Sequence, residues 1–328
     1  MLSLSNRSGT GFRFRHLHMI RLLVFAATTT LALAQPPGPS ISLPSLGYVF
    51  DNNSKTIRLI AGVPGAASLD APVSAGTSLD SAFVNSRAQL AIANSKDGGV
   101  ALVQWNGTPQ VTPLSSALSH VTLVAFSRSG DSAAISDGTT VEVWSGLTGT
   151  PSLGPTFSPN GGVTALAINA SGTVAAADGS GSVVLLGDNA RVLATGGAWT
   201  ALAFLPNGND LLAADGAAQT LTLIQDVQNT AAASVVLSVS EKPGALAVSA
   251  DGSEAALGLA DNVTIVDLAS GAANSITCNC QAASFDLLQG NLIARIIDAQ
   301  TGSQLLLDAD SAQPRIASLP DLNLGSVQ

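Results

Sequence analysis

Seven aspartates, one histidine, one tryptophan and two cysteines hold most of the chemistry this sequence offers. Asp51, Asp97, Asp137, Asp178, Asp215, Asp261 and Asp298 recur at intervals of 46, 40, 41, 37, 46 and 37 residues. Each closes a short apolar run, and four precede a glycine: Gly98, Gly138, Gly179 and Gly216. Asp-Gly is a favoured hairpin turn because both residues tolerate positive φ. The same seven carboxylates, gathered on one face, would form an acidic collar attractive to cations or to a basic partner. Both readings are open at the level of sequence.

Histidine, the usual acid/base group and metal ligand near neutral pH, occurs at positions 16, 18 and 120. His16 and His18 fall in a leader-like segment, which leaves His120 as a single polar group ahead of an apolar run. A His-rich metal cage is excluded. No spaced Ca²⁺ loop of the D-x-D-x-D-G kind is present, so no cofactor is expected and a divalent cation has no motif to hold it. Neither a phosphate loop nor a G-x-S-x-G elbow appears. Cys278 and Cys280 flank Asn279. A local disulfide is favoured over free or metal-bound thiols, because no further Cys or His remains to complete a metal site. Trp199 is a candidate contact, since Trp favours interfaces, or a wedge between structural units.

Composition sets the context. The chain has 328 residues, 46% hydrophobic and 11% charged. Arg13, Arg15 and Arg21 lead into the apolar run Leu22–Ala34, a pattern that reads as a cleaved export signal over residues 1–34. The run is too short to span a bilayer as a helix, so no transmembrane helix is expected after cleavage. Met19 is a second candidate start. Beyond residue 34 stand nine basic and 22 acidic residues, a net charge of −13. Such a surface disfavours nucleic acid and anionic lipid. Residues 35–46 read as a Pro-rich lead-in, and residues 47–328 as one domain.

The elements that position the aspartates come from an internal repeat. Segments from Val121, Val163, Trp199 and Pro243 share one grammar, with weaker copies from Leu79 and Ala283. A small-residue apolar run such as Ala165–Ala167 comes first. A Gly turn follows, then a second apolar run ending in the Asp turn, an alternating third run, and a looser Pro/Gly/Ser/Thr stretch. Short runs bounded by Gly, Asp and Asn are strands and hairpins. Four antiparallel strands in about forty residues is the pattern of a β-propeller blade. The first strand of each blade is expected to carry small residues because sheets crowd at the axis. TIRLIAGVPGAASLDAPV from Thr56 aligns without a gap to TVEVWSGLTGTPSLGPTF from Thr140. The domain therefore opens on strands two to four of a blade. The C-terminal strand, near Leu322–Val327, is expected to supply the missing strand and close seven blades, with six as the alternative.

VEVWSGLTG (Val141–Gly149) and VTIVDLASG (Val263–Gly271) resemble WD-repeat and YVTN-type propellers. The Gly-His pair of WD repeats is absent, and Trp144-Ser145 stands where those repeats carry Trp-Asp. GYVFDNNSKTIRLIAGVPGAA, from Gly47, resembles uncharacterised secreted bacterial propellers. The resemblance implies a fold and an export route to the periplasm or the outside of the cell, and no activity. The expectation is a monomeric, non-catalytic binding or scaffold module that holds another exported protein or a glycan through its loop face. The alternative is a propeller enzyme of the lactonase, hydrolase or lyase kind, acting on a small or sugar-derived substrate at the central channel.

Overall fold

The computed structural model describes residues 44–106, 108–300 and 302–321. The expected signal, most of the lead-in, and the closing strand from Leu322 lie outside these residues. Every element within them is a strand or a turn. The strands form seven antiparallel sheets in chain order, which decides seven blades over six. Blade 1 contains β1 (Ser45–Asp51), β2 (Thr56–Ala61) and β3 (Ser68–Val73). Ser45 and Leu46 thus belong to the first sheet and not to the lead-in. Blade 2 contains β4 (Leu79–Asn85), β5 (Leu90–Ser95), β6 (Val100–Gln104) and β7 (Gln110–Pro113). Blade 3 contains β8 (Leu123–Phe126), β9 (Ala133–Ser136), β10 (Val141–Ser145) and β11 (Ser152–Phe157). Blade 4 contains β12 (Val163–Ile168), β13 (Val174–Asp178), β14 (Ser182–Leu186) and β15 (Arg191–Thr195). Blade 5 contains β16 (Trp199–Phe204), β17 (Leu211–Asp215), β18 (Thr220–Gln225) and β19 (Ala232–Ser238). Blade 6 contains β20 (Ala245–Val248), β21 (Glu254–Gly258), β22 (Asn262–Asp267) and β23 (Ala273–Thr277). Blade 7 contains β24 (Ala282–Leu287), β25 (Ile293–Asp298), β26 (Gln304–Asp308) and β27 (Arg315–Ser318).

Burial runs in a gradient across each blade. The second strands are buried along their length: all of β9, β13 and β17. Neighbouring blades cover both of their faces, so they read as continuous apolar runs and not as alternating ones. The innermost strands are less buried, and β8 is half-buried throughout, because their inner edge faces the axis. Small residues do mark the innermost strands, as in Ala165 and Ala167 of β12 and Ala245 and Ala247 of β20, but large ones share them. Phe83, Phe126, Phe204 and Phe285 lie on innermost strands and are half-buried. The fully enclosed alanines sit one strand further out: Ala91, Ala133, Ala134, Ala175, Ala176, Ala177, Ala213, Ala214, Ala255, Ala256 and Ala294. Two sheet faces press on that strand at once, whereas the innermost strand has open space on one side. Outermost strands such as β11 are exposed.

Seven apolar clusters stand between consecutive sheets. Leu90, Ile92 and Leu102 of blade 2 meet Val121, Ile135 and Trp144 of blade 3. The cluster that decides closure joins Leu46, Val49, Ile60 and Leu69 of blade 1 to Leu288, Ile293, Leu306 and Leu319 of blade 7. The ring therefore shuts on apolar burial between its first and last sheets. The alignment of blade 1 with blade 3 holds in atomic detail. Gly62 and Gly146 both have positive φ, and a Cβ on either would strike the carbonyl oxygen of the aligned residue, Ala66 or Thr150, at 2.3 and 2.4 Å.

Arg58 and Glu142 occupy equivalent positions on β2 and β10, and each captures the chain arriving from the preceding blade. The Glu142 carboxylate accepts from the Ser116 hydroxyl and the Ala117 N–H at 2.8 Å, and from Trp144 Nε1 at 3.1 Å. Arg58 donates to both carboxylate oxygens of Asp321, at 2.6 and 2.7 Å, and to Asp51 at 3.3 Å. Leu69 N–H adds a 3.0 Å bond to the Pro320 carbonyl. The chain leaving β27 is thus fastened to blade 1 in the way the chain leaving β7 is fastened to blade 3.

Candidate functional site

Up-and-down strands divide the loops between two faces. The turns between second and third strands share one face with the connectors between blades, and the other turns lie opposite. The connector face bears all the residues singled out in the sequence.

The structure divides the seven aspartates by environment. Asp51, Asp178, Asp215 and Asp298 are buried, whereas Asp97, Asp137 and Asp261 are exposed. One oxygen of Asp215 accepts the N–H groups of Ala198, Ala217 and Ala218, at 3.0, 2.8 and 3.1 Å. It thereby ties the turn after β17 to the segment entering β16. Asp298 does the same in blade 7, accepting from Gln281 and Gln300. Asp178 accepts from the N–H groups of Ser180 and Ser182 and from the Ser180 hydroxyl. Even exposed Asp137 accepts from the Thr139 and Thr140 N–H groups. Burial pushes the Asp51 carboxyl up, but hydrogen bonds from Ser54, Asn53 and Arg58 outweigh it and hold the group below the usual carboxylate range. These contacts satisfy turn N–H groups that the sheet ladders leave unpaired.

Trp199 is buried against Leu185, Leu211 and Val227, and its Nε1 donates to the Gly181 carbonyl in blade 4 at 3.1 Å. It is a wedge between blades 4 and 5. Trp105 lies just beyond β6, tilted against Tyr48 with ring centroids 5.1 Å apart, between blades 1 and 2. His120 is exposed beside the start of blade 3. Cys278 and Cys280 form a disulfide with Cα atoms 5.1 Å apart, within the range such bonds require. It closes a turn in which Asn279 adopts positive φ. Among the described residues no three His, Cys, Asp or Glu side chains converge as a metal site, and no helix is long and apolar enough to cross a membrane.

Two features escaped the sequence reading. Asn94, buried on β5, pairs with the backbone of Val121 in both directions at 2.8 Å and bonds Ser81, stitching blade 2 to the start of blade 3. Its signal was an amide side chain ending the apolar run LAIA. Arg295, buried on β25, pairs with Asp286 and donates to the Phe50 carbonyl of blade 1 at 2.6 Å. Gln304 links Arg295 to Asp51. A cleft of about 320 Å³ borders this network, lined by Asp51, Asn53, Leu69, Gln304, Leu319 and Asp321. It lies where the chain passes from blade 7 to blade 1, so its charged groups serve the seam.

No family model matches the chain, and no curated protein matches it. Solved structures do. A functionally unknown protein from Desulfotomaculum acetoxidans is similar over 85% of this chain and 100% of its own, with a TM-score of 0.59 and 14% identity. A protein from Lactobacillus plantarum is similar over 84% of this chain and 96% of its own, with a TM-score of 0.60 and 14% identity. At that identity the likeness shows the fold alone, and the fold of this chain is a seven-bladed β-propeller.

Proposed function

We propose that this chain is an exported, non-catalytic binding or scaffolding propeller whose connector face holds another exported protein or a glycan. The observation that supports this most is the commitment of the aspartate carboxylates to backbone N–H groups in the turns. Asp215 alone takes three such bonds. Carboxylates spent in this way stiffen the turns, and stiff short loops on a rigid sheet scaffold form a preorganised display surface. Asp97, His120, Asp137 and Asp261 are exposed on that surface. Export is supported by the signal-like run before Gln35 and by the Cys278–Cys280 disulfide, which suits an oxidising compartment.

The test compares two immobilised forms of residues 35–328 against the exported fraction of the source cells and against a glycan array. One carries the native face, the other Asp97→Ala, His120→Ala and Asp137→Ala together. The reading expects a partner retained by the native face and lost from the variant. Equal retention by both, or turnover of a small substrate by the native chain, would refute it.

A further inference from the structure

The face opposite the connectors carries a pair of arginines in a chain that is otherwise strongly acidic. Arg87 lies in the turn between β4 and β5, and Arg128 in the turn between β8 and β9, the same position in adjacent blades. The two turns pack side by side. Gly130 sits so close to Ala88 that a Cβ on it would fall 2.2 Å from the Ala88 methyl carbon. Both guanidinium groups leave their own blades and reach over the axial region to one patch. Arg87 donates from Nε to the Leu288 carbonyl at 3.2 Å and from Nη2 to the Gly290 carbonyl at 2.7 Å. Arg128 donates from Nη2 to the Ala250 carbonyl. Ala250 is itself bonded to Asn291, one residue beyond Gly290. Two cations from blades 2 and 3 therefore converge on the joined turns of blades 6 and 7.

Their partners there are neutral carbonyls. Among the described residues neither guanidinium has a carboxylate within ion-pair distance. The nearby acids are engaged elsewhere. Asp251 accepts from Ser249, Ser253 and Asn291, and Asp310 accepts from the N–H groups of Asn291 and Leu292. Burial and then the neighbouring charge of Arg128 lower the Arg87 pKa, with Asp310 opposing. The carbonyl contacts leave Nη1 of Arg87, and Nε and Nη1 of Arg128, as further donors. Guanidinium forks match tetrahedral oxyanions in geometry, and such charge-assisted bonds are the strong ones.

We propose that Arg87 and Arg128 form an oxyanion site at the axial end of the face opposite the connectors, taking a phosphate or sulfate group. The bound group relieves the repulsion between the two cations and bridges them with donors that the carbonyl contacts hold in place. The site is independent of the connector face, and nothing in the partner reading above requires it.

The test is calorimetric titration of residues 35–328 with inorganic phosphate, with sulfate and with acetate at constant ionic strength. The proposal expects phosphate or sulfate to bind, acetate to bind much more weakly, and Arg128→Gln to weaken the oxyanion roughly tenfold or more. Arg128 is exposed, so this variant leaves the fold intact. Arg128→Lys keeps the charge and loses the fork, and is expected to bind between the two. Binding unchanged in Arg128→Gln, or no saturable heat with phosphate or sulfate, would overturn the proposal. The triple connector-face variant is expected to bind phosphate as the native chain does, which separates this site from the proposed partner surface.

Discussion

Replacing Asp321 by Asn tests the seam between the last and first blades. The side chain of Arg58 is 3% exposed and that of Asp321 is 21% exposed. Removing one member of a fully buried pair costs about 3–5 kcal/mol because the other charge is left unpaired. Two features reduce that figure here. Asp321 is partly solvated, and Asp51 remains 3.3 Å from the Arg58 guanidinium. The expected loss is therefore about 2 kcal/mol, which for a domain of this size lowers the melting midpoint by about 2–4 °C. Differential scanning calorimetry of Asp321→Asn, Arg58→Met and the double variant gives a coupling energy. The reasoning expects coupling above about 1 kcal/mol, with the double variant less destabilised than the two single losses added together. Coupling near zero would mean that Asp321 does not hold the chain end on blade 1.

Other consequences follow from the same contacts. Trp199→Ala should cost about 3–5 kcal/mol by urea denaturation, as a buried wedge would; a surface contact residue would leave the midpoint unmoved. Reducing the Cys278–Cys280 bond opens a three-residue loop, so chain entropy predicts a loss of about 1.6 kcal/mol, read as a lower melting midpoint with reductant; no change would show that the bond does not constrain the unfolded chain. Hydrogen bonds hold the carboxyls of Asp51, Asp131, Asp137 and Asp267 below the usual range. A depressed folded pKa contributes stability above the unfolded value of about 3.9 and loses it as pH falls through the folded value. The melting midpoint should therefore be flat from about pH 7 to about pH 5 and fall below about pH 4. A steep fall already between pH 7 and pH 5 would contradict the assignment.

The repeat was legible in the sequence because turn chemistry is local. Gly62 and Gly146 mark the same turn in two blades, and Asp178 and Asp215 the same hairpin. What those residues do was less legible. The collar aspartates differ in burial although their sequence contexts match, because burial depends on which segment enters the neighbouring strand. Arg58 and Glu142 align without a gap, yet their charges are opposite. Each suits the chain it receives, a carboxylate in one case and a hydroxyl and an N–H in the other, and that partner lies 263 or 26 and 25 residues away. Arg87 and Arg128 each follow a buried serine, Ser86 and Ser127. That shared Ser-Arg pair was visible, but its destination on blades 6 and 7 is set by the ring alone. The alanines of the innermost strands, such as Ala165 and Ala167, were legible in the sequence, but the tightest crowding is not at the axis. It peaks one strand further out, where two faces meet.

The central claim is that the first and last sheets meet as neighbours in a closed ring of seven. Hydrogen exchange read by mass spectrometry on β1 tests it directly. Val49 and Phe50 pair with Arg58 and Ile57 and lie under the cluster shared with blade 7 and the one shared with blade 2. A closed ring predicts protection of β1 comparable to that of β13 and β17, the enclosed second strands of blades 4 and 5. Exchange of β1 through β3 at the rate of exposed turns, with β13 and β17 still protected, would show a first blade not held by the seventh.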